Sequence, residues 1–317
     1  MAHIVNDSTP SLSRTGEAMG LVLSGGGARG AYQLGCWKAF LERGLEFEAV
    51  AGSSIGALNG ALICQGDWDA AYALWTDITS APIVRPDYAR LAKLAAALVT
   101  DVGLLLLPGP KLRALRLLTR AATVAKIMSG KGFVGLLQSE GLIQIERFRP
   151  ILEDSLDMGK VLASRVKLFV TVTKQPGLTN PRGGGHWFTL QDHSAEEAFA
   201  ILAASMALPL VFGPIELGGR YYRDGAIAHK FPVEPLYEMG LRRMVGVGTR
   251  AVDHYTQSDY PGCHITLIRP REPLGYFPFA TFRFTPEALK EWMLRGYADA
   301  VAVLDDERNL WQYGTPR

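Results

Sequence analysis

The serine best placed to act as a nucleophile is Ser54, at the centre of the sequence Gly52-Ser53-Ser54-Ile55-Gly56. A G-x-S-x-G sequence between a strand and a helix is typical of a nucleophile elbow, a tight turn that needs small residues on both sides of the serine. The alternative is an ordinary small-residue turn, which is common. Ser53 competes for the role, but only Ser54 occupies the central position of the motif.

A glycine-rich run upstream is the second chemical feature: Gly25-Gly26-Gly27-Ala28-Arg29-Gly30. The run fits the G-x-G-x-x-G fingerprint of dinucleotide sites, which also requires an acidic residue at the end of the second strand. The carboxylates Glu46 and Glu48 stand at the start of that strand instead, so a nucleotide cofactor is not expected. Consecutive glycine N–H groups at a helix N-terminus can still hold negative charge, on an oxyanion or on a phosphate.

The serine hydroxyl needs a base that takes its proton. The usual base is a histidine, and five histidines follow Ser54 without a distinctive setting: His186, His193, His229, His254 and His264. A different candidate is Asp224, in the sequence Arg223-Asp224-Gly225-Ala226. Gly225 would let another segment approach this carboxylate closely. Taken alone, the sequence also fits an ordinary Asp-Gly turn.

The pattern of apolar residues predicts the elements that must position these groups. Short apolar runs predict strands at residues 20–24, 47–51, 166–172, 244–249 and 264–268. Longer periodic runs predict helices at residues 31–43, 55–64, 195–206 and 286–304. Strands that alternate with helices in this way predict an α/β fold with a mainly parallel sheet. Its first two strands would lead directly into the glycine run and the serine motif.

Composition excludes several classes of protein. The chain has 317 residues, of which 48% are hydrophobic and 20% charged, so a disordered chain is excluded. A net charge of +2 gives no basic excess of the kind that indicates nucleic-acid binding. The three cysteines, Cys36, Cys64 and Cys263, are too few and too scattered for a disulfide framework or a zinc site. We therefore expect a cytoplasmic protein that needs no metal or other cofactor.

The domain organisation predicted from the sequence is simple. Residues 1–18 form a polar tail without the apolar core of a signal peptide. Residues 19–317 form a single α/β domain, with a helical insertion rich in Leu and Ala at about residues 81–142. The most hydrophobic stretch, residues 91–107, is shorter than a membrane-spanning helix and carries Lys93 and Asp101. A spanning helix is not expected.

The three motifs, in this order, resemble the patatin-like phospholipase family. The sequence Ala204-Ser205-Met206-Ala207-Leu208-Pro209 also resembles the helix end that this family carries before its aspartate. The resemblance extends from about residue 20 to residue 236, and residues 81–142 match least. It implies a three-layer α/β/α fold with a mainly parallel central sheet.

The resemblance also implies roles for individual residues. Ser54 would be the nucleophile and Asp224 its only side-chain base, in a Ser-Asp dyad without a histidine. The oxyanion hole would comprise Gly25, Gly26, Gly27, Ala28 and Arg29. Supporting positions in the motifs would be Gly30, Gly52, Gly56, Gly225 and Ala226. The substrate would be an acyl ester of a lipid, with phospholipids and lysophospholipids as the implied class.

The sequence leaves open the roles of His229 and Arg29 and two rival functions. The sequence Ala228-His229-Lys230-Phe231 stands where the family tends to have asparagines, and we interpret His229 as a loop residue without a catalytic role. For Arg29, a structural anchor is favoured over a contact with a lipid head group. The rival functions are a Ser-His-Asp hydrolase and a non-catalytic lipid-binding module on the same fold.

A stripe of arginines within the predicted insertion raises the question of membrane contact. If residues 111–128 are helical, Arg113, Arg116 and Arg120 share one face, opposite an apolar face. The commoner outcome is that such an apolar face packs on the protein core. The other outcome is peripheral contact with an anionic membrane surface.

Overall fold

The computed structural model describes residues 18–77, 149–175, 184–209 and 211–312, with a few isolated positions between residues 92 and 99. The strands are β1 Met19–Leu23, β2 Ala49–Ser53, β3 Lys167–Lys174, β4 Gly184–Thr189, β5 Ile215–Leu217, β6 Arg220–Asp224, β7 Arg243–Val247 and β8 His264–Ile268. The helices are α1 Gly30–Glu42, α2 Ile55–Gln65, α3 Trp68–Asp77, α4 Arg149–Ser155, α5 Met158–Leu162, α6 Ala195–Ser205, α7 Glu234–Glu238 and α8 Pro286–Gln312.

Two predictions fall outside this description. The polar tail is described only at residue 18, and the insertion at 81–142 only at the isolated positions, so the arginine stripe lies outside the described residues. Among the residues that are described, no helix is both long enough and apolar enough to cross a membrane.

The described strands form one mixed sheet in the order β5-β6-β3-β2-β1-β7-β8, with β4 paired to β3 off this path. The pairs β1–β2, β2–β3, β1–β7 and β7–β8 are parallel. The pairs that β4, β5 and β6 make are antiparallel. The fold is therefore the predicted α/β architecture with a mainly parallel centre, and its antiparallel part lies on one side of β2.

Alternate residues of the parallel strands enter two separate cores, because successive strand side chains point to opposite faces. On one face Leu21, Val50 and Val245 pack with α1, α2, α6 and α8. On the other face Val22, Ala51 and Met244 pack with α7 and the segment before β8. The strands are covered on both sides, which explains why every residue of β1 and β2 is buried instead of every second one.

Strand β3 brings the two candidate catalytic residues together. It runs parallel to β2 and antiparallel to β6. Its adjacent residues Thr171 and Val172 pair with Ser53, the last residue of β2, and with Asp224, the last residue of β6. Two strands that are about 170 positions apart in the chain therefore end at the same place on β3.

The predicted elements are present with small shifts at their ends. The second strand begins two residues later than predicted and continues to Ser53, because residues 49–53 pair with β3 along their whole length. The elements that were not predicted include the helices α3, α4, α5 and α7 and the strands β4 and β5. Strand β4 begins with glycines and is largely exposed at that end, so it lacks the apolar run that marks the other strands.

Candidate active site

The serine motif forms a tight turn between β2 and α2. Ser54 is the residue before α2 and has φ 55°, a left-handed value found at no other non-glycine among the described residues. A Cβ on Gly52 would lie 2.4 Å from the carbonyl oxygen of Gly56, and a Cβ on Gly56 would lie 2.4 Å from that of Leu23. Both glycines are therefore required by close backbone contacts, and the turn matches the predicted nucleophile elbow.

The hydroxyl of Ser54 contacts Asp224 directly. Ser54 Oγ donates a hydrogen bond of 2.7 Å to Asp224 Oδ2. The other carboxylate oxygen, Oδ1, accepts from the backbone N–H of Ala226 at 2.8 Å. The backbone of Asp224 is fixed as well, since its N–H donates to Ala207 and its carbonyl accepts from Thr173 Oγ1. The carboxylate is thus held in one orientation with one oxygen aimed at the serine.

Burial changes the acidity of this carboxylate. Asp224 is only 3% exposed, and loss of water raises its pKa from 3.8 to about 6, against the opposing effect of the hydrogen bonds from Ser54 and Ala226. A carboxylate with a raised pKa is a better proton acceptor than an ordinary aspartate.

The neighbouring serine is placed very differently. Ser53 is fully buried, and its hydroxyl bonds to Thr171 Oγ1 and to the carbonyl oxygen of His229. It does not line the pocket into which Ser54 faces. Of the two competing serines, Ser54 is therefore the one with access to a ligand.

The candidate histidines lie outside the pocket that Ser54 faces. None of the five histidines from His186 to His264, all of which are described, lines the pocket that contains Ser54. His229 is the nearest along the chain to Asp224, and its ring packs edge-on against Trp187, with Nδ1 3.7 Å from Glu234. Burial lowers the pKa of His229, and Glu234 opposes that effect.

The glycine run forms a turn in which two carbonyl groups are held by side chains. The Gly25 carbonyl accepts from Thr249 Oγ1 at 2.6 Å, and the Gly26 carbonyl accepts from Arg29 Nε at 3.1 Å. In a planar trans peptide, the N–H of the next residue points the opposite way. The N–H groups of Gly26 and Gly27 therefore point away from these anchors, and both residues line the pocket with Ser54.

Glycines are needed here because other segments pass close by. A Cβ on Gly25 would lie 3.3 Å from Cβ of Ser54 and 2.8 Å from that of Ala226, so the three motifs meet at this point. Gly27 has φ 61°, and a Cβ there would lie 2.3 Å from the carbonyl oxygen of Thr281. Gly30 begins α1 against Ile55 and Trp75.

A buried aspartate that the sequence did not single out supports the turn from behind. Asp253 Oδ2 accepts from Ser24 Oγ and from the N–H groups of Thr249 and Arg250. Its other oxygen binds the Arg250 guanidinium at 2.7 Å. Thr249 in turn holds the Gly25 carbonyl. Asp253 therefore fixes the segment that orients the glycine turn.

Arg29 is an anchor, as favoured from the sequence. Its side chain is almost fully buried and donates to the Gly26 carbonyl and to Thr281 Oγ1. Ala28, predicted as part of the oxyanion hole, is fully buried and does not line the pocket.

The pocket above the serine is apolar. It has a volume of about 240 Å³, and Asp224 is the one carboxylate among its described lining residues. Its apolar wall comprises Ile55, Met206, Leu208, Phe212, Ile227, Phe277, Phe282 and Phe284. Its cationic members, besides the buried Arg29, are Lys230 and Arg250. Such a cavity suits a ligand with a hydrocarbon chain next to the serine.

Sequence reasoning missed Thr249, Asp253 and Ser205, which accepts the Ser54 N–H at 2.9 Å. Two of these had a detectable signal. Thr249 is the last residue of a predicted strand. That strand pairs with β1, which leads into the glycine run, so the pairing of the two strands brings Thr249 to the glycines. Ser205 lies in the sequence 204–209, which resembles the helix end that the family carries before its aspartate. Asp253 sits in a loop with no such mark.

Comparison with known proteins gives a family match. The family model described as patatin-like phospholipase matches residues 21–237. The lysophospholipase NTE1 of Eremothecium gossypii is 26% identical over 296 residues, which cover 92% of this chain and 16% of that protein. The neuropathy target esterase sws of Drosophila persimilis is 58% identical over 50 residues, 16% of this chain and 4% of that protein. The chain thus spans less than a fifth of the length of these relatives.

Two solved structures are also similar. VipD from Legionella pneumophila aligns with a TM-score of 0.49 and 18% identity, over 92% of this chain and 67% of that one. Human GIVD cytosolic phospholipase A2 aligns with a TM-score of 0.43 and 11% identity, over 90% of this chain and 58% of that one.

The left-handed backbone of Ser54 predicts an unusual order of stabilities. Ser54→Gly should be more stable than Ser54→Ala by about 1 kcal/mol, because glycine adopts this backbone conformation without strain. The measurement is urea unfolding of both variants. Ser53 in β2 provides the matched control, since there the Gly variant should be less stable than the Ala variant. Equal stabilities of the two Ser54 variants would contradict strain at the elbow.

The raised pKa of Asp224 predicts how its removal affects stability at different pH values. A carboxyl whose pKa is higher in the folded state stabilises the fold fully below its unfolded pKa, and this contribution is lost as the pH rises through about 6. Relative to Asp224→Asn, the wild type should therefore lose roughly 2 kcal/mol of unfolding free energy between about pH 4 and pH 7. Denaturant titrations across this range measure it. If the difference in unfolding free energy between the wild type and Asp224→Asn does not change with pH, burial does not raise the pKa of Asp224.

Proposed function

The chain belongs to the patatin-like phospholipase family, and from this premise we propose that it hydrolyses acyl esters of lipids with Ser54 as nucleophile and Asp224 as general base. The observation that carries the proposal is the 2.7 Å hydrogen bond from Ser54 Oγ to a buried carboxylate at the base of an apolar pocket. The family match supports ester hydrolysis, and the geometry supports the assignment of the two residues.

The proposed reaction begins with proton transfer along this hydrogen bond. As Ser54 Oγ attacks the carbonyl carbon of the ester, its proton passes to Asp224 Oδ2 and the carbonyl oxygen becomes an oxyanion. Collapse of the tetrahedral intermediate expels the alcohol, which takes the proton from Asp224, and leaves an acyl-enzyme. Water then attacks the acyl-enzyme, giving its proton to Asp224, and the second collapse returns that proton to Ser54 and releases the fatty acid.

We assign the oxyanion hole to the glycine turn. The predicted set was Gly25, Gly26, Gly27, Ala28 and Arg29, and the orientation of the peptide groups favours the N–H groups of Gly26 and Gly27 as donors. Arg29 then acts by fixing the Gly26 carbonyl. The backbone N–H of Ser54 is less available because it donates to Ser205.

The substrate class follows from the lining of the pocket. The apolar wall suits an acyl chain, and Lys230 suits a phosphate near the ester, whereas the charge of Arg250 is paired with Asp253. The relative in Eremothecium gossypii is named a lysophospholipase, which supports lysophospholipids alongside phospholipids as substrates. We propose that the protein works in the cytoplasm and meets these lipids at membrane surfaces.

The structure weighs against the two rival functions. A Ser-His-Asp triad would place a histidine beside Ser54, whereas the Ser54 hydroxyl bonds to Asp224 and the described histidines lie outside the pocket. A non-catalytic lipid-binding module has no need for a buried carboxylate within hydrogen-bond distance of a strained serine, since both features cost stability.

Covalent labelling with a fluorophosphonate probe tests the dyad. Ser54→Ala should abolish both labelling and hydrolysis of a soluble short-chain ester, because the nucleophile is gone. Asp224→Asn should lower hydrolysis by at least about a thousandfold, since the serine loses its base. Ser53→Ala and His229→Ala serve as matched controls and should retain substantial activity. A loss with His229→Ala as severe as that with Ser54→Ala would replace the dyad with a triad.

A methyl group on the glycine turn tests the oxyanion hole. In Gly26→Ala, the new Cβ would meet Thr249 Oγ1 at 2.3 Å, so the peptide must turn away from its present orientation. We expect kcat to fall about a hundredfold, with a much smaller change in KM, because these donors act mainly in the transition state. Gly159→Ala is the control, because it is exposed on a helix where the methyl group would meet only the Asp157 side chain, at 3.2 Å. A rise in KM alone would indicate a ground-state binding site instead.

A further inference from the structure

Large aromatic side chains are exposed together in one short segment. Tyr276, Phe277 and Phe279 are 76%, 67% and 82% exposed, and they are the most exposed aromatic side chains among the described residues. Single exposed apolar residues are common on protein surfaces, but three within four positions form a contiguous patch. Patches of this kind mark surfaces that bind another apolar phase or molecule.

The patch rests on a firmly held base. Leu274 and Ala280, on either side of it, are buried in the main core. The N–H of Ala280 donates to the carbonyl of Tyr276, and Thr281 accepts from the buried Arg29. The turn is therefore built into the same core that supports the glycine turn, and its aromatic side chains face outward although apolar neighbours are close by.

The patch lies at the mouth of the candidate active site. Phe277 lines the pocket that contains Ser54, and so does Ile227, which is 48% exposed. Thr281 and Phe282, immediately after the patch, line the same pocket. The exposed apolar surface is thus continuous with the apolar wall that leads to the serine.

Positive charge accompanies the patch. The segment 269–283 carries exposed Arg269, Arg271 and Arg283 against one acid, Glu272. Lys230, also exposed, lines the same pocket. Aromatic rings at the level of lipid head groups, with arginine and lysine beside them, are the combination that favours a membrane interface.

We propose that residues 274–283 dock the protein on a lipid bilayer, with Tyr276 and Phe279 inserted at the interface and the pocket mouth turned towards the lipid. The proposal rests on the proposed function, because a lipid ester held in a bilayer must enter the pocket past this patch. A bilayer also matches the positive charge of residues 269–283 and Lys230, since lipid phosphates are the anions that a bilayer presents. Residues 274–283 are not part of the arginine stripe predicted within residues 111–128, which lies outside the described residues.

Vesicle sedimentation tests the proposal with the full chain. The probes are vesicles of phosphatidylcholine alone and of phosphatidylcholine mixed with phosphatidylglycerol. The variant Tyr276→Ser/Phe279→Ser changes two side chains that do not line the pocket. Its partition coefficient should be at least about tenfold lower than that of the wild type, equivalent to about 1.4 kcal/mol. Tyr276→Trp/Phe279→Trp should bind at least as well as the wild type, because tryptophan favours the interface.

The matched control removes exposed apolar side chains elsewhere. Tyr72→Ser/Leu294→Ser changes residues that are 47% and 62% exposed on α3 and α8, outside the pocket lining. It should bind vesicles like the wild type. Thermal unfolding of all variants by circular dichroism should give similar Tm values, which excludes loss of binding through misfolding.

Two results would overturn the proposal. One is vesicle binding by Tyr276→Ser/Phe279→Ser that equals that of the wild type. The other is a concentration-dependent dimer of the wild type that this variant disperses, with vesicle binding unaffected, because a second copy would then be the occupant of the patch. Hydrolysis of a soluble ester, measured in parallel, tests the proposed hydrolase function separately from the proposed docking on lipid. If the wild type hydrolyses no ester, the proposed function fails, and sedimentation still decides whether the patch docks on lipid.

Discussion

The candidate site depends on one constraint: a carboxylate must be buried and still remain within hydrogen-bond distance of a serine. An aspartate in water is too weak a base for this task. Burial raises the pKa of Asp224 to about 6 but makes its charge costly in the fold. The structure limits that cost by donating to both oxygens, from Ser54 and from the Ala226 N–H. The nearby Asp253 carboxylate, by contrast, is paired with Arg250 and so adds no free negative charge.

Sheet geometry sets the distance between the two residues. Because Thr171 and Val172 are neighbours on β3, the strand ends that pair with them must also be neighbours. Side chains of the same strand strengthen the arrangement, since the Thr171 hydroxyl bonds to Ser53 and the Thr173 hydroxyl to the Asp224 carbonyl. A distance set by strand register varies less than one set by loops, which suits a proton transfer that needs close and constant geometry.

The motifs could be predicted from the sequence because their requirements are local. Gly52 and Gly56 are needed by the turn that contains Ser54, and a glycine after Asp224 is needed where its Cβ would strike the Thr171 carbonyl. The groups that hold the motifs in place could not be predicted in the same way. Asp253 stabilises the glycine turn from more than 220 positions away, through the fold alone. Strand β4 was not predicted either. It lacks a run of buried apolar residues, and it is held in the sheet by its antiparallel pairing with β3.

The segment before Asp224 links base strength to substrate binding. The Ala207 carbonyl accepts the Asp224 N–H, while Met206 and Leu208 on either side line the pocket. One short stretch thus fixes the proposed base and forms part of the apolar pocket wall. In the proposed mechanism, a chain that fills this wall also displaces water from the pocket around the half-buried Ser54. Removing water strengthens the electrostatic interactions that the carboxylate makes. Long acyl esters would then promote their own cleavage, whereas small polar esters would leave water in the pocket and the hydrogen bond between Ser54 and Asp224 weaker.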